Sequence, residues 1–316
     1  MMSEKFWITG LVAAVFTPMH EDGSINFARI HPMVEQLLAE GVCGLYVCGS
    51  TGEGVSLTTP ERMDVTAAFV KASAERAPVI VQVGHNSLEE ARNLAAHAEE
   101  VGADAISATP PTYFKPSSLD NLIDCLAYIT TGAPELPFYY YHIPIMTGVP
   151  VVISDFLRSA APRLPSLAGV KFSHTAVFDL QASIAVDDGR FNLLFGSDEM
   201  LLGGLAAGAH GAVGSTYNFS APLFTRIEDA FAAGDLSAAQ ALQGRAVEMI
   251  ATIVRHGGNP ALKAVMSLVG QDCGASRLPQ ITLPQQKIDA LRMDLEAIGF
   301  FDWARNPAAL EGPFHG

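Results

Sequence analysis

Basic residues are scarce in this chain: 19 lysines and arginines stand against 33 aspartates and glutamates in 316 residues, a formal net charge of -14. They form no run anywhere. Nucleic acid and anionic membrane are therefore excluded as partners, because both require basic patches. Cysteine is sparser still. Cys43, Cys48, Cys125 and Cys273 make no CxxC pair and have no histidine at metal spacing. Free thiols in a reducing cytoplasm are expected, with neither disulfides nor zinc. The N-terminal apolar stretch, Phe6 to Phe16, is too short to span a bilayer. It has only Lys5 before it, no small-x-small cleavage pattern, and Thr17-Pro18 directly after, so it reads as a buried strand rather than a signal peptide.

What the chain does have is alternation. Ile30, Met33, Val34, Leu37 and Leu38 recur at helical spacing before the apolar run Val42 to Cys48. Thr59-Pro60 opens a helix with proline at its first position, Pro78 to Gly84 reads as a third strand, and Ser87 with Glu90 makes a capping box. The pattern continues with strands at 104–109, 138–141, 167–173, 191–195 and 211–214, and with helices near 118–130, 154–160, 176–186 and 200–207. Eight such repeats predict an α/β chain with a parallel sheet closed as a (β/α)8 TIM barrel. Helical patterns alone follow, over 238–254, 261–269 and 285–298. The expected organisation is a barrel over residues 1–235 that carries the active site and a C-terminal helical bundle over 236–316.

In a barrel of this kind, chemistry sits where strands end and the loops toward the helices begin. The distinctive residues fall there: Gly49-Ser-Thr-Gly-Glu53, Tyr141, Lys171, Gly196-Ser-Asp-Glu199 and Gly214-Ser-Thr-Tyr-Asn218. Lys171 ends a short apolar run, where an ammonium cannot be hidden cheaply. It is paired, turned to solvent, or partly deprotonated and reactive. The glycine-flanked turn at Ser50 and Thr51 offers backbone N–H groups that suit an anion. That turn has no P-loop lysine and lacks dinucleotide-fingerprint spacing, so it is weak as a nucleotide site.

Tyr-Tyr-Tyr-His-Ile-Pro144 with Thr-Gly148, Gly-Val-Lys-Phe-Ser173, Phe-Gly-Ser-Asp-Glu199 and Gly-Ala-Val-Gly-Ser-Thr-Tyr-Asn218 together resemble the pyruvate-dependent class I aldolases. That superfamily includes dihydrodipicolinate synthase and N-acetylneuraminate lyase. The resemblance runs from Gly10 through Arg277-Leu-Pro279 and is nearest the lyase members. It implies a homotetramer that needs neither metal nor organic cofactor and takes a small 2-oxo acid and pyruvate. Lys171 is implied as the Schiff-base former, Tyr141 as the proton-transfer phenol, and Ser50 and Thr51 as carboxylate binders. Ser173 is implied at the hydroxyl near the scissile bond, Gly196, Asp198, Glu199, Gly214 and Ser215 around the hydroxyl tail of a sugar, and Tyr113 in a neighbouring subunit's site. The synthase members carry an arginine for a second carboxylate five residues after the tyrosine. Here that position is Met146, which cannot hold an anion and so favours a neutral aldehyde product. Cleavage of N-acetylneuraminate is the leading expectation. The rivals are another aldolase or dehydratase acting on a different 2-oxo sugar acid, and a binding protein without turnover.

Overall fold

The computed structural model describes residues 6–306. The expected first segment and the expected C-terminal bundle each extend past this range, so residues 1–5 and 307–316 lie outside the described residues. Eight strands pair in parallel and in chain order, and β1 closes on β8 to complete a barrel. Along the chain these are β1 (Gly10–Ala14), α1 (Ile30–Ala39), β2 (Gly44–Val47), α2 (Thr59–Ser73), β3 (Val79–Gln82), α3 (Leu88–Glu100), β4 (Ala105–Ala108), α4 (Leu119–Thr130) and β5 (Phe138–His142). After β5 come α5 (Pro144–Thr147), α6 (Ile153–Ala160), β6 (Leu167–Phe172), α7 (Val177–Ile184), β7 (Asn192–Phe195), α8 (Leu201–Ala206), β8 (Gly211–Gly214) and α9 (Tyr217–Ala232). The last four helices are α10 (Leu236–Arg255), α11 (Asn259–Leu268), α12 (Gln285–Ala297) and α13 (Phe300–Trp303).

Strand alternation divides the core in two. Phe138 and Tyr140 of β5 face the helices in the larger cluster, whereas Tyr139 and Tyr141 point into the barrel with Val12, Tyr46, Ile80, Leu194 and Val213. The floor of the interior is polar but paired: the Tyr139 hydroxyl donates to Asn192 Oδ1 at 2.8 Å, and Asn192 Nδ2 donates to the Ile8 carbonyl at 3.0 Å. Gly169 makes room there, since a Cβ would stand 2.7 Å from the Tyr139 ring and 2.0 Å from the Asn192 carbonyl.

Helix α9 has no clean periodic signature in the sequence because Pro222 interrupts it. Ser220 adopts a non-helical backbone (φ -147°, ψ 28°), so the helix restarts around it. The proline then lies in the first turn of the restarted segment, where its missing N–H costs nothing. Helix α10 packs on α9 and on the turn over Asp198–Met200 at the barrel mouth. Among the described residues, no helix is long and apolar enough to cross a membrane.

Candidate active site

Register places the key pair. Tyr141 of β5 stands directly opposite Lys171 of β6, both pointing inward at the C-terminal end of the barrel. Lys171 is buried, with Nζ 3.9 Å from the ring centroid of Tyr46 and 4.2 Å from that of Tyr141. The two rings meet edge to face, 5.6 Å apart. Tyr46 is fixed in turn by its hydroxyl, which donates to Ser107 Oγ at 3.0 Å. Burial pushes the Lys171 ammonium below the ordinary lysine range, although the Tyr141 phenol and the more distant Asp198 act the other way. A downward shift raises the share of neutral amine, the form that is a nucleophile toward carbonyl carbon.

Around this pair the loops supply hydroxyls. Ser50 Oγ lies 3.4 Å from the Tyr141 hydroxyl, and Thr51 Oγ1 lies 2.6 Å from Ser215 Oγ. Asp198 is buried, and its Oδ2 accepts from the Thr216 N–H at 2.9 Å and from Thr216 Oγ1 at 2.7 Å. Burial raises its carboxyl to about 6, more than these hydrogen bonds lower it. Two glycines permit this packing: a Cβ on Gly214 would stand 2.1 Å from Asp198 Oδ1, and one on Gly196 would stand 2.0 Å from Ser173 Oγ. Ser173 Oγ is buried and has no hydrogen-bond partner among the described residues. Nearby His142 is packed between the Phe172 and His174 rings, 5.4 and 5.5 Å away, and burial pushes its imidazole down to about 4. It is neutral at pH 7.

A family model described as the dihydrodipicolinate synthetase family matches residues 7–298. The chain belongs to that family. Among curated relatives, the N-acetylneuraminate lyases of Rattus norvegicus and Homo sapiens are each 40% identical, the alignments covering 96% of this chain and 96% of the relative. Among solved structures, Proteus mirabilis N-acetylneuraminate lyase superposes with a TM-score of 0.91 at 36% identity, covering 93% of this chain and all of that one. The lyase from Aliivibrio salmonicida gives 0.90 at 37% identity, with 93% and 98% covered.

Within this member of the family, Lys171, Tyr141, Ser50, Thr51, Ser215, Asp198, Gly214, Ser173 and Gly196 gather at the mouth of one barrel. Three expected site residues are exposed rather than enclosed in that cluster. Glu199 is exposed beside Asp198, Met146 is 69% exposed on α5, and Tyr113 is 80% exposed in the loop after β4, its ring against Phe114. Asn86 Oδ1 holds that loop by accepting from the N–H groups of Thr112 and Tyr113. Sequence reasoning missed Tyr46, and it named Thr216 and Glu53 only inside their motifs, without a role. Tyr46 could have been found, since in Gly44-Leu-Tyr-Val47 strand alternation puts it on the interior face with Val12 and Tyr141. Thr216 had no local signal beyond its motif. Among the described residues, no group of three or more His, Cys, Asp or Glu is placed to hold a metal ion.

Proposed function

We propose that this family member is an aldolase-type lyase that cleaves N-acetylneuraminate to N-acetylmannosamine and pyruvate through a Schiff base on Lys171. The observation that carries the reading is the buried Lys171 amine beside Tyr141. The loop of Ser50 and Thr51 faces the same space, and the curated relatives named above add their substrate. The Ser50 and Thr51 hydroxyls and their turn's N–H groups hold the carboxylate of the open-chain sugar. Lys171 Nζ attacks the C2 keto carbon, and loss of water gives an iminium. Tyr141, alone or relaying to the substrate carboxylate, takes the proton from the C4 hydroxyl. The C3–C4 bond breaks, its electron pair moves into the iminium to form an enamine, and C4 leaves as the aldehyde carbon of the amino sugar. Protonation at C3 and addition of water release pyruvate and restore the amine. Ser173 Oγ, without a partner among the described residues, meets the hydroxyl near the scissile bond, and the hydroxyl tail is taken up by the Asp198 and Glu199 carboxylates.

The same reading makes the enzyme independent of metal and organic cofactor, cytoplasmic and homotetrameric. Free cysteines at all four positions support the compartment. The exposed Tyr113, Phe114, Ile145, Met146 and Phe178 support coverage by neighbouring subunits, with Tyr113 reaching a neighbour's site.

Pyruvate release from N-acetylneuraminate, followed beside a panel of other 2-oxo sugar acids, tests the substrate. The nine-carbon sugar is expected to be turned over fastest, and Lys171→Ala to abolish turnover while folding normally. Preference for another acid of the panel would move the substrate and keep the mechanism. Full activity in Lys171→Ala would end the Schiff-base reading.

A further inference from the structure

The loop that carries Ser50 and Thr51 is strained and tightly enclosed. Cys48 and Glu53, neither of them glycine, both hold left-handed backbone at φ 58° and 55°. Such residues persist only where their surroundings over-determine them. Some of that constraint is local: Thr17 Oγ1 donates to the Gly52 carbonyl at 2.7 Å, and a Cβ on Gly54 would stand 1.9 Å from the Cys48 carbonyl. The rest comes from far away in sequence. Glu53 is fully buried, and its Oε1 accepts from Lys263 Nζ of α11 at 2.8 Å. Its Oε2 accepts from the Arg277 N–H at 2.8 Å. Lys263, equally buried, also donates to the Ala275 carbonyl at 2.5 Å. The Arg277 guanidinium then grips the same region from above, donating to both Glu61 oxygens, to the Ser56 carbonyl and to the Gly23 carbonyl.

A second tether runs from the same helical extension to the opposite loop. Gln243 of α10 donates to the Asp198 carbonyl at 3.2 Å and accepts from the Leu202 N–H at 2.9 Å.

We propose that Lys263, through its buried ion pair with Glu53, is a positioning residue for the carboxylate cradle, so that the helical extension is part of the active site rather than an appendage. The inference rests on the reading of Ser50 and Thr51 as the carboxylate site. An ion pair shielded from water on both sides is costly to form and costly to break singly, so it holds one geometry. A cradle displaced by about 1 Å loses much of its advantage. The loss should fall on ligands that carry a carboxylate and spare those that do not.

The test traps the imine with borohydride, using pyruvate and, separately, acetone, which offers the same carbonyl without the carboxylate. Lys263→Met leaves the Glu53 carboxylate buried without its cation. The double variant Lys263→Met with Glu53→Gln removes both charges and keeps a hydrogen-bonding side chain at 53. In the folded double variant, checked by near-UV circular dichroism, the half-saturating pyruvate concentration is expected to rise about tenfold or more. The maximal trapping rate and the acetone response should stay within about twofold. An unchanged pyruvate half-saturation overturns the proposal, and so does equal loss for pyruvate and acetone, which would mean general damage. If neither variant folds, the pair holds the domain and not the cradle, and the proposal falls. No adduct with pyruvate in the unmodified enzyme would instead remove the carboxylate-site reading, and this inference with it.

Discussion

Lys171 carries a burial cost that the fold keeps for reactivity. The faces of Tyr46 and Tyr141 stabilise its ammonium, a contact worth about 2 kcal/mol at a desolvated site. The shift is nevertheless downward, so burial outweighs the rings. Replacing the amine with an apolar chain of similar length should relieve that cost. Lys171→Met is expected to raise the thermal midpoint at pH 7, by about 2–4 °C for each kcal/mol relieved. Scanning calorimetry checks it, and a lowered midpoint would contradict the account of the site. His142 and Asp198 set opposing acid responses. The His142 imidazole lies at about 4 in the fold against 6.5 unfolded, so on the order of 3 kcal/mol of stability is present above pH 6.5 and lost as pH falls toward 4. The Asp198 carboxyl lies at about 6 against 3.8, so its burial costs a similar amount above pH 6 and is relieved as pH falls. Removing the first should unmask the second. His142→Phe is expected to be relatively more stable at pH 5 than at pH 7, compared with the unmodified enzyme by melting at both values.

At the scale of elements, the ends of β2, β5, β6, β7 and β8 deliver the site residues, and the loops that follow must let them in. Gly196 after β7 is one such case, because a Cβ would stand 2.0 Å from Ser173 Oγ. Gly196→Ala is expected to raise the KM for the sugar by about tenfold through displacement of that hydroxyl, while imine trapping with pyruvate persists. Steady-state kinetics beside trapping would show the split, and an unchanged KM would mean that Ser173 does not meet the sugar. That Tyr141 and Lys171 each end a strand was legible in the sequence, because the strand-helix repeat and strand-end position are local properties. The register that sets Tyr141 against Lys171 was not, since the pairing of β5 with β6 shifts by a residue between Phe138 and Tyr139. Helix α9 was not legible, since Pro222 reads as a stop unless the backbone break at Ser220 is known. Nor was the Glu53 to Lys263 pair, because nothing in either neighbourhood announces a partner 210 residues away.

For the whole molecule, the barrel and the helices from α10 onward make one functional object. The barrel presents an amine, a phenol and a ring of hydroxyls, and the helices hold two of the loops that complete them. The family and the fold follow from the comparisons, while the roles given to individual residues rest on the resemblance of their motifs together with geometry and chemistry. They share one point that can be tested covalently. Incubation with N-acetylneuraminate and borohydride, followed by peptide mass mapping, should find a single reduced pyruvate-sized adduct on Lys171 together with released N-acetylmannosamine. An adduct on any other lysine, or turnover that leaves Lys171 unmodified and unprotected from it, would contradict the mechanism at its centre.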